Sequence, residues 1–127
     1  MTNNYDDEAW VSHIKFRAAI HSGYHTGIAT SNLNRDFNTL IRLSELLTEE
    51  IELTIREDDN YNLSPRFKEA NMEWIAGLHA YNSGAKYARI IAIDAQNGNV
   101  NTDDISEFVN FNKQGTEHIE NVLQLIS

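Results

Sequence analysis

The 127-residue sequence predicts an all-α protein, an antiparallel four-helix bundle with up-down-up-down connections. Apolar residues recur at spacings of three and four in four long segments, and no segment of useful length alternates apolar and polar residues as a strand does. The chain has one proline and six glycines, which is sparse turn chemistry for an all-β protein. Because the connections between the segments are short and polar, consecutive helices should be antiparallel neighbours. We expect one domain over residues 1–127.

The first two helices are predicted over residues 7–29 and 36–57. Three consecutive acids at residues 6–8 open the first helix, where negative charge complements the helix dipole. Asp36 is the expected N-cap of the second helix, because its side chain can accept a hydrogen bond from a free backbone N–H group.

The third helix has the clearest start in the chain. Ser64 can cap it, and Pro65 takes the first helical position, where the missing N–H group costs nothing. This helix is predicted to run to about Ala95, and the turn sequence NGN at residues 97–99 ends it. A fourth helix should begin near Thr102 and continue to the end of the chain.

Composition excludes several kinds of protein. The chain has no cysteine, so it can form neither disulfides nor thiolate metal sites, and its net charge of −9 opposes direct binding to nucleic acid. The N-terminus lacks the basic and apolar segments of a secretory signal, and the longest strongly apolar run, residues 90–93, is far shorter than the roughly 20 residues of a membrane span. We expect a cytoplasmic protein that does not bind membranes.

Two glycines in the stretch AGLHAYNSGAKYA, residues 76–88, resemble a phosphate-binding loop only superficially. Six residues rather than four separate Gly77 from Gly84, Tyr87 follows the lysine where a serine or threonine is required, and no strand is predicted before the stretch. We predict instead that small residues let two helices approach closely, either the first and third helices or two copies of the chain in a homodimer. A break of the third helix at Gly84 is the alternative. This predicted packing seam consists of Ala19, Gly23, Gly27, Gly77, Ala80, Gly84 and Ala88.

His21 and His25 form a pair of candidate metal ligands four residues apart on a predicted helix. Residues four apart on a helix can supply two ligands from one face, but a third ligand would have to come from His79 or Glu45. The paired Glu-x-x-His motifs of di-iron bundles are missing, so we predict no metal and no cofactor. The hydrolase and metalloprotease motifs G-x-S-x-G and H-E-x-x-H are missing too, and we predict no enzymatic activity.

The distribution of charge is the most informative functional feature. The stretch EEIELTIREDD, residues 49–59, places acids at the C-terminal end of the second helix, where they oppose the helix dipole. An antiparallel bundle gathers most of the acids of the chain at this end. Acids kept at an unfavourable position suggest a surface for a basic partner, although a simply solvated surface and the attraction of divalent cations are alternatives. The predicted partner-binding residues are Glu49, Glu50, Glu52, Glu57, Asp58 and Asp59, with Tyr61 as an aromatic anchor.

The predicted function is that of a small acidic, non-enzymatic protein that occludes a basic site on another protein. An immunity protein, an antitoxin or a phage-type inhibitor acts in this way, in some cases by mimicking the charge of nucleic acid. Two other functions stay open: a bundle that binds a small ligand or a metal through its histidines, and a structural module that forms homo-oligomers through the packing seam.

Overall fold

The structure, a computed structural model, describes residues 4–127 and forms four helices within them. They are α1 (Asp7–Leu33), α2 (Phe37–Asp58), α3 (Pro65–Gln96) and α4 (Thr102–Ile126). Each helix packs against the next along the chain, so the predicted antiparallel four-helix bundle is confirmed. The largest discrepancy in the predicted boundaries is at the end of α1, which continues past residue 29 to Leu33.

Local chemistry explains where the helices begin and end. The side chain of Asp36 accepts a hydrogen bond from the Thr39 N–H group at 3.3 Å, which confirms its role as the N-cap of α2. Asn101 caps α4 in the same way, with two backbone N–H groups as donors. After α3, Gly98 adopts a φ of +76°, a left-handed conformation that favours glycine. The helix itself is continuous through Gly84, so the predicted alternative of a break there is wrong.

The core takes one buried stripe from each helix. Trp10 of α1 and Trp74 of α3 are the two largest side chains in it, and each is almost fully buried. The other large residues of this stripe are aliphatic: Leu47, Ile51, Leu78 and Val122. None of the helices in the described part of the chain has an apolar stretch long enough to cross a lipid bilayer.

Candidate functional site

The start of α1 is tied to the loop between α2 and α3 at the acidic end of the bundle. Asp6 donates its N–H to the carbonyl of Asn62 at 2.7 Å and accepts the Asn62 N–H with its carboxylate at 2.9 Å. Asp7 accepts the hydroxyl of Ser64 at 2.6 Å and its backbone N–H at 3.0 Å. Ser64 is thus the N-cap residue of α3, as predicted, but its hydroxyl bonds to α1 and not to its own helix. The two aspartates have a structural role at this end.

Arg17 neutralises part of the predicted acidic surface. Its guanidinium group forms a two-pronged contact with the carboxylate of Glu57, at 2.7 and 3.1 Å, and a further bond to Glu50 at 3.1 Å. Such forked arginine–carboxylate pairs are the strong form of ion pair. Both glutamates are therefore occupied within the chain, and we did not predict this partner because Arg17 is distant from them in sequence.

Asp58 does not lie on the surface, so its assignment to a partner-binding surface was wrong. Only 1% of the residue is exposed, because it faces the core from the last turn of α2. Of the predicted acids, Glu49, Glu52 and Asp59 are exposed. They lie on the solvent side of α2 and its C-terminus, and only these three are fully available to a partner.

The surroundings of Asp58 are unusual for a carboxylate. His13 Nε2 lies 3.4 Å from Asp58 Oδ1, a close contact without hydrogen-bonding geometry, and neither carboxylate oxygen has a hydrogen-bond partner within residues 4–127. Burial raises the pKa of Asp58 to about 7; the indole N–H groups of Trp10 and Trp74 lie near enough to oppose this rise to a smaller extent, although neither meets the geometry of a hydrogen bond to the carboxylate. The neighbouring carboxylates of Glu57 and Asp59 raise it further.

His13 and Tyr61 complete this buried group. The two rings stack with their centroids 5.1 Å apart, so the predicted aromatic anchor is half-buried against α1. Burial lowers the pKa of His13, although the Glu57 carboxylate opposes that change. The group of His13, Asp58 and Tyr61 therefore joins α1 to α2 and to the loop that follows, and Tyr61 is only partly available to a partner.

The glycines of α3 pack against α4, and the predicted seam between α1 and α3 is wrong. A Cβ atom on Gly77 would lie 3.3 Å from the carbonyl oxygen of Gly115, and one on Gly84 would lie 2.8 Å from Asn112 Oδ1. A Cβ on Gly115 would lie 2.7 Å from two ring carbons of Tyr81. A side chain at Gly77 would therefore crowd α4, one at Gly115 would collide with the Tyr81 ring, and one at Gly84 would displace the Asn112 side chain.

Helix α3 does not pack closely against the α1 residues of the predicted seam. Gly27 faces the side chain of Leu43 on α2, while the space beside Gly23 is open within the described chain. Ala19 is exposed. Ala80 and Ala88 of α3 are buried, as small residues in a packed helix should be. The possible homodimer contact is untested and stays a prediction.

An open groove between α1 and α4 follows from this packing. Three glycines draw α4 onto α3, whereas aromatic rings keep α1 away from α3: the rings of His25 and Tyr81 lie 4.7 Å apart, and those of His21 and Trp74 lie 6.4 Å apart. Within residues 4–127, only α1–α2, α2–α3 and α3–α4 have backbones that approach extensively. The first and last helices therefore do not close the bundle.

Two adjoining cavities form the groove, with volumes of about 590 and about 420 Å³. His25 and Asn112 line both cavities and mark the waist between them. Neither lining contains an aspartate, glutamate, lysine or arginine, although the chain has 29 of these residues, 19 acidic and 10 basic. The larger cavity is lined mainly by aliphatic residues, among them Ile28, Leu33, Leu40, Leu47, Ile91, Ile105 and Val109.

The histidines contribute to the groove without forming a metal site. His21 and His25 both line the smaller cavity, and burial is the main reason that the pKa of each is lowered, that of His21 to about 4. His21 is held by a 3.2 Å contact between its Nε2 and Thr54 Oγ1. His79, the third ligand considered, is exposed, and residues 4–127 contain no group of three or more potential ligands placed to bind a metal.

Comparison with known proteins adds no functional assignment. No protein-family model, no curated protein and no solved structure matches this chain. The fold defines the class, a four-helix bundle, and the groove is its most distinctive feature.

Two features of the sequence indicate the groove in retrospect. No acidic residue, lysine or arginine occurs between Arg17 and Arg35, so the wall formed by α1 carries no formal charge apart from its histidines. On α4, apolar residues at Ile105, Val109 and Leu123 form a second stripe beside the one that faces α3, and all three are exposed. A helix with two apolar stripes indicates a second contact surface.

Proposed function

We propose that this chain is a non-enzymatic binding protein that holds a basic, amphipathic helix of another protein in the groove between α1 and α4. The observation that carries the proposal is the uncharged groove itself in a chain with a net charge of −9. The proposal keeps the predicted function, occlusion of a basic site on a protein partner, and moves the contact from the acidic end to the groove.

The dimensions of the groove suit a helix. The lining residues of α1 extend from Ala18 to Leu33, which at 1.5 Å per residue corresponds to about 22 Å, or about four helical turns. At one end of this length, Leu33 and Val109 are 82% and 58% exposed. A small molecule in the larger cavity would leave the rest of this apolar length in water. A helix with apolar residues at spacings of three and four would cover it.

Charge around the groove favours a basic partner. On α4, the exposed acids Asp103 and Glu107 lie near one end of the groove and Glu117 and Glu120 near the other, against a single exposed base on this helix, Lys113. A helix whose flanking positions carry lysine or arginine would complement both ends and would bind more weakly as salt increases. The exposed acids Glu49, Glu52 and Asp59 of the acidic end do not line the groove, so they add to the long-range attraction rather than to the contact.

A peptide experiment tests this proposal. The probe, termed the Leu peptide, is a synthetic helix of about 20 residues with leucine on one face and lysine and alanine elsewhere; a scrambled peptide of the same composition is the control. We expect Ala29→Asp and Val109→Asp, which place a charge in the groove, to weaken binding of the Leu peptide at least tenfold in fluorescence anisotropy, since burying an unpaired charge is costly. Ala19→Asp makes the same change on exposed α1 surface outside the lining and should leave binding unchanged.

Other results would refute the proposal. Equal binding of the scrambled peptide, or equal weakening by Ala19→Asp, would show that only net charge attracts the peptide. A third result would favour the alternative function predicted above. If the Leu peptide fails to bind, while the neutral dye Nile red binds the wild-type protein but not the Val109→Asp variant, the groove is a site for small apolar molecules.

A further inference from the structure

The waist of the groove has polar groups that the aliphatic lining does not explain. His25 Nε2 is shielded from solvent and has no hydrogen-bond partner in the described part of the chain. The amide of Asn112 likewise makes no hydrogen bond within residues 4–127, and this residue, like His25, lines both cavities. A purely apolar ligand would leave both groups unpaired, so it should bind less favourably than a ligand that hydrogen-bonds to them.

Both groups are held in place by their neighbours. The ring of His25 lies against that of Tyr81, whose hydroxyl is 2.8 Å from Thr116 Oγ1 and whose ring is packed on Gly115. The side chain of Asn112 occupies the space that a Cβ atom on Gly84 would fill. Glycine at position 84 therefore does more than allow α4 to approach α3, because it also makes room for a polar group at the waist.

We infer that His25 and Asn112 form a polar recognition point that accepts one uncharged amide or hydroxyl side chain from the middle of the partner helix. This inference rests on the proposed function. Asparagine, glutamine, serine and threonine have both the donor and the acceptor that such a pair requires. Burial lowers the pKa of His25, which favours the neutral ring with one donor and one acceptor. No acid, lysine or arginine lines the groove, so a charged side chain at this point would lose its hydration without a counter-ion.

A single polar pair of this kind determines how a helix is aligned. In coiled coils, one buried asparagine fixes the register of the partner helices because every other alignment leaves it unpaired. The same reasoning applies here, since the groove is apolar on both sides of the waist. A partner helix with one central polar residue would bind in a single alignment, whereas one with leucine at every groove-facing position could slide by a turn.

The test compares the Leu peptide with an Asn peptide, in which the central leucine of the apolar face is replaced by asparagine. We expect the wild-type protein to bind the Asn peptide at least as tightly as the Leu peptide. His25→Leu and Asn112→Leu should each reverse this order and favour the Leu peptide by about tenfold, the usual effect of leaving one buried polar group unpaired. Two exposed residues outside the groove provide matched controls, His79→Leu and Asn110→Leu, and should preserve the wild-type order.

Each result has a distinct meaning. If wild type and all four variants favour the Leu peptide to the same extent, the waist is not a recognition point, yet the groove still binds helices and the proposed function stands. If neither peptide binds the wild-type protein, the proposed function fails and this inference fails with it. Far-UV circular dichroism establishes that each variant is folded, and the use of two independent waist variants keeps the test decisive if His25→Leu unfolds the chain.

Discussion

Replacement of Asp58 by asparagine should stabilise the protein at alkaline pH. Asp58 is 1% exposed, and burial raises the pKa of its carboxyl group from 3.8 to about 7. At 1.36 kcal/mol for each pH unit, this rise corresponds to about 4 kcal/mol. The folded protein retains a proton on Asp58 that the unfolded chain releases between pH 3.8 and about 7, so stability falls as pH rises through that range, and the full loss is present above it.

Buried His21 has the opposite effect on the pH dependence of stability. For this reason the experiment compares the variant with the wild-type protein at each pH. Because burial lowers the pKa of His21 from 6.5 to about 4, the unfolded chain binds the extra proton in that range, and stability falls as pH drops through it. Asp58→Asn removes only the carboxyl contribution. The stability of the variant minus that of wild type, from urea unfolding followed by far-UV circular dichroism, should therefore increase by about 3 kcal/mol between about pH 4.5 and about pH 8.

A matched control separates burial from simple loss of charge. Asp59→Asn removes the same charge at the exposed neighbouring position, and we expect its stability difference from wild type to change by only a few tenths of a kcal/mol over the same range. If Asp58→Asn behaves like Asp59→Asn, then Asp58 ionises as readily in the folded protein as in water. In that case a protonated His13, 3.4 Å away, would have to be compensating its charge, and the argument from burial would be refuted.

Three further substitutions test the packing. Gly115→Ala should destabilise the protein by about 1–2 kcal/mol in urea unfolding, because the new Cβ lies 2.7 Å from ring carbons of Tyr81 and overpacking outweighs the higher helix propensity of alanine. Gly23→Ala has open space within the chain and should stabilise it by about 0.5–1 kcal/mol; the same sign for both glycines would contradict the assigned contacts. Arg17→Met should cost about 2 kcal/mol, since the half-buried Glu57 loses its counter-ion, and an unchanged midpoint at low salt would show that this pair contributes nothing.

The sequence was sufficient to predict the helices because their periodicity and caps are local properties. Asp36 and Pro65 mark the starts of α2 and α3 by side-chain chemistry within one turn, and the structure places both as expected. The sequence also predicted that the glycines of α3 pack closely against another helix, but not that this helix is α4. Spacing shows that Gly77 and Gly84 share a face, whereas the choice of α4 over α1 depends on Gly115, a lone glycine that belongs to no stripe.

The prediction of the acidic surface was wrong for Asp58, which is charged in type but buried. Asp58 and Asp59 are adjacent and identical in type, yet one faces the core and the other faces solvent. Counting charge at one end of a bundle cannot separate them, because a single residue rotates the side chain by 100° around the helix. The period of α2 does separate them: Asp58 continues the buried stripe of Leu47, Ile51 and Thr54 at spacings of three and four. We did not assign Asp58 to this stripe because aspartate is usually exposed.

The contact between α3 and α4 has a consequence for the order in which the molecule opens. These two helices are adjacent in sequence and joined backbone to backbone, whereas the C-terminal half of α1 contacts α3 through side chains, among them the rings of His21 and His25, and contacts α2 along one side. Amide protons in the C-terminal half of α1 should therefore exchange with solvent through local opening before those near Gly77 or Gly115. The α4 wall of the groove is then the more rigid one, so a helix bound as proposed would widen the groove by displacing α1 while the rest of the bundle stays folded.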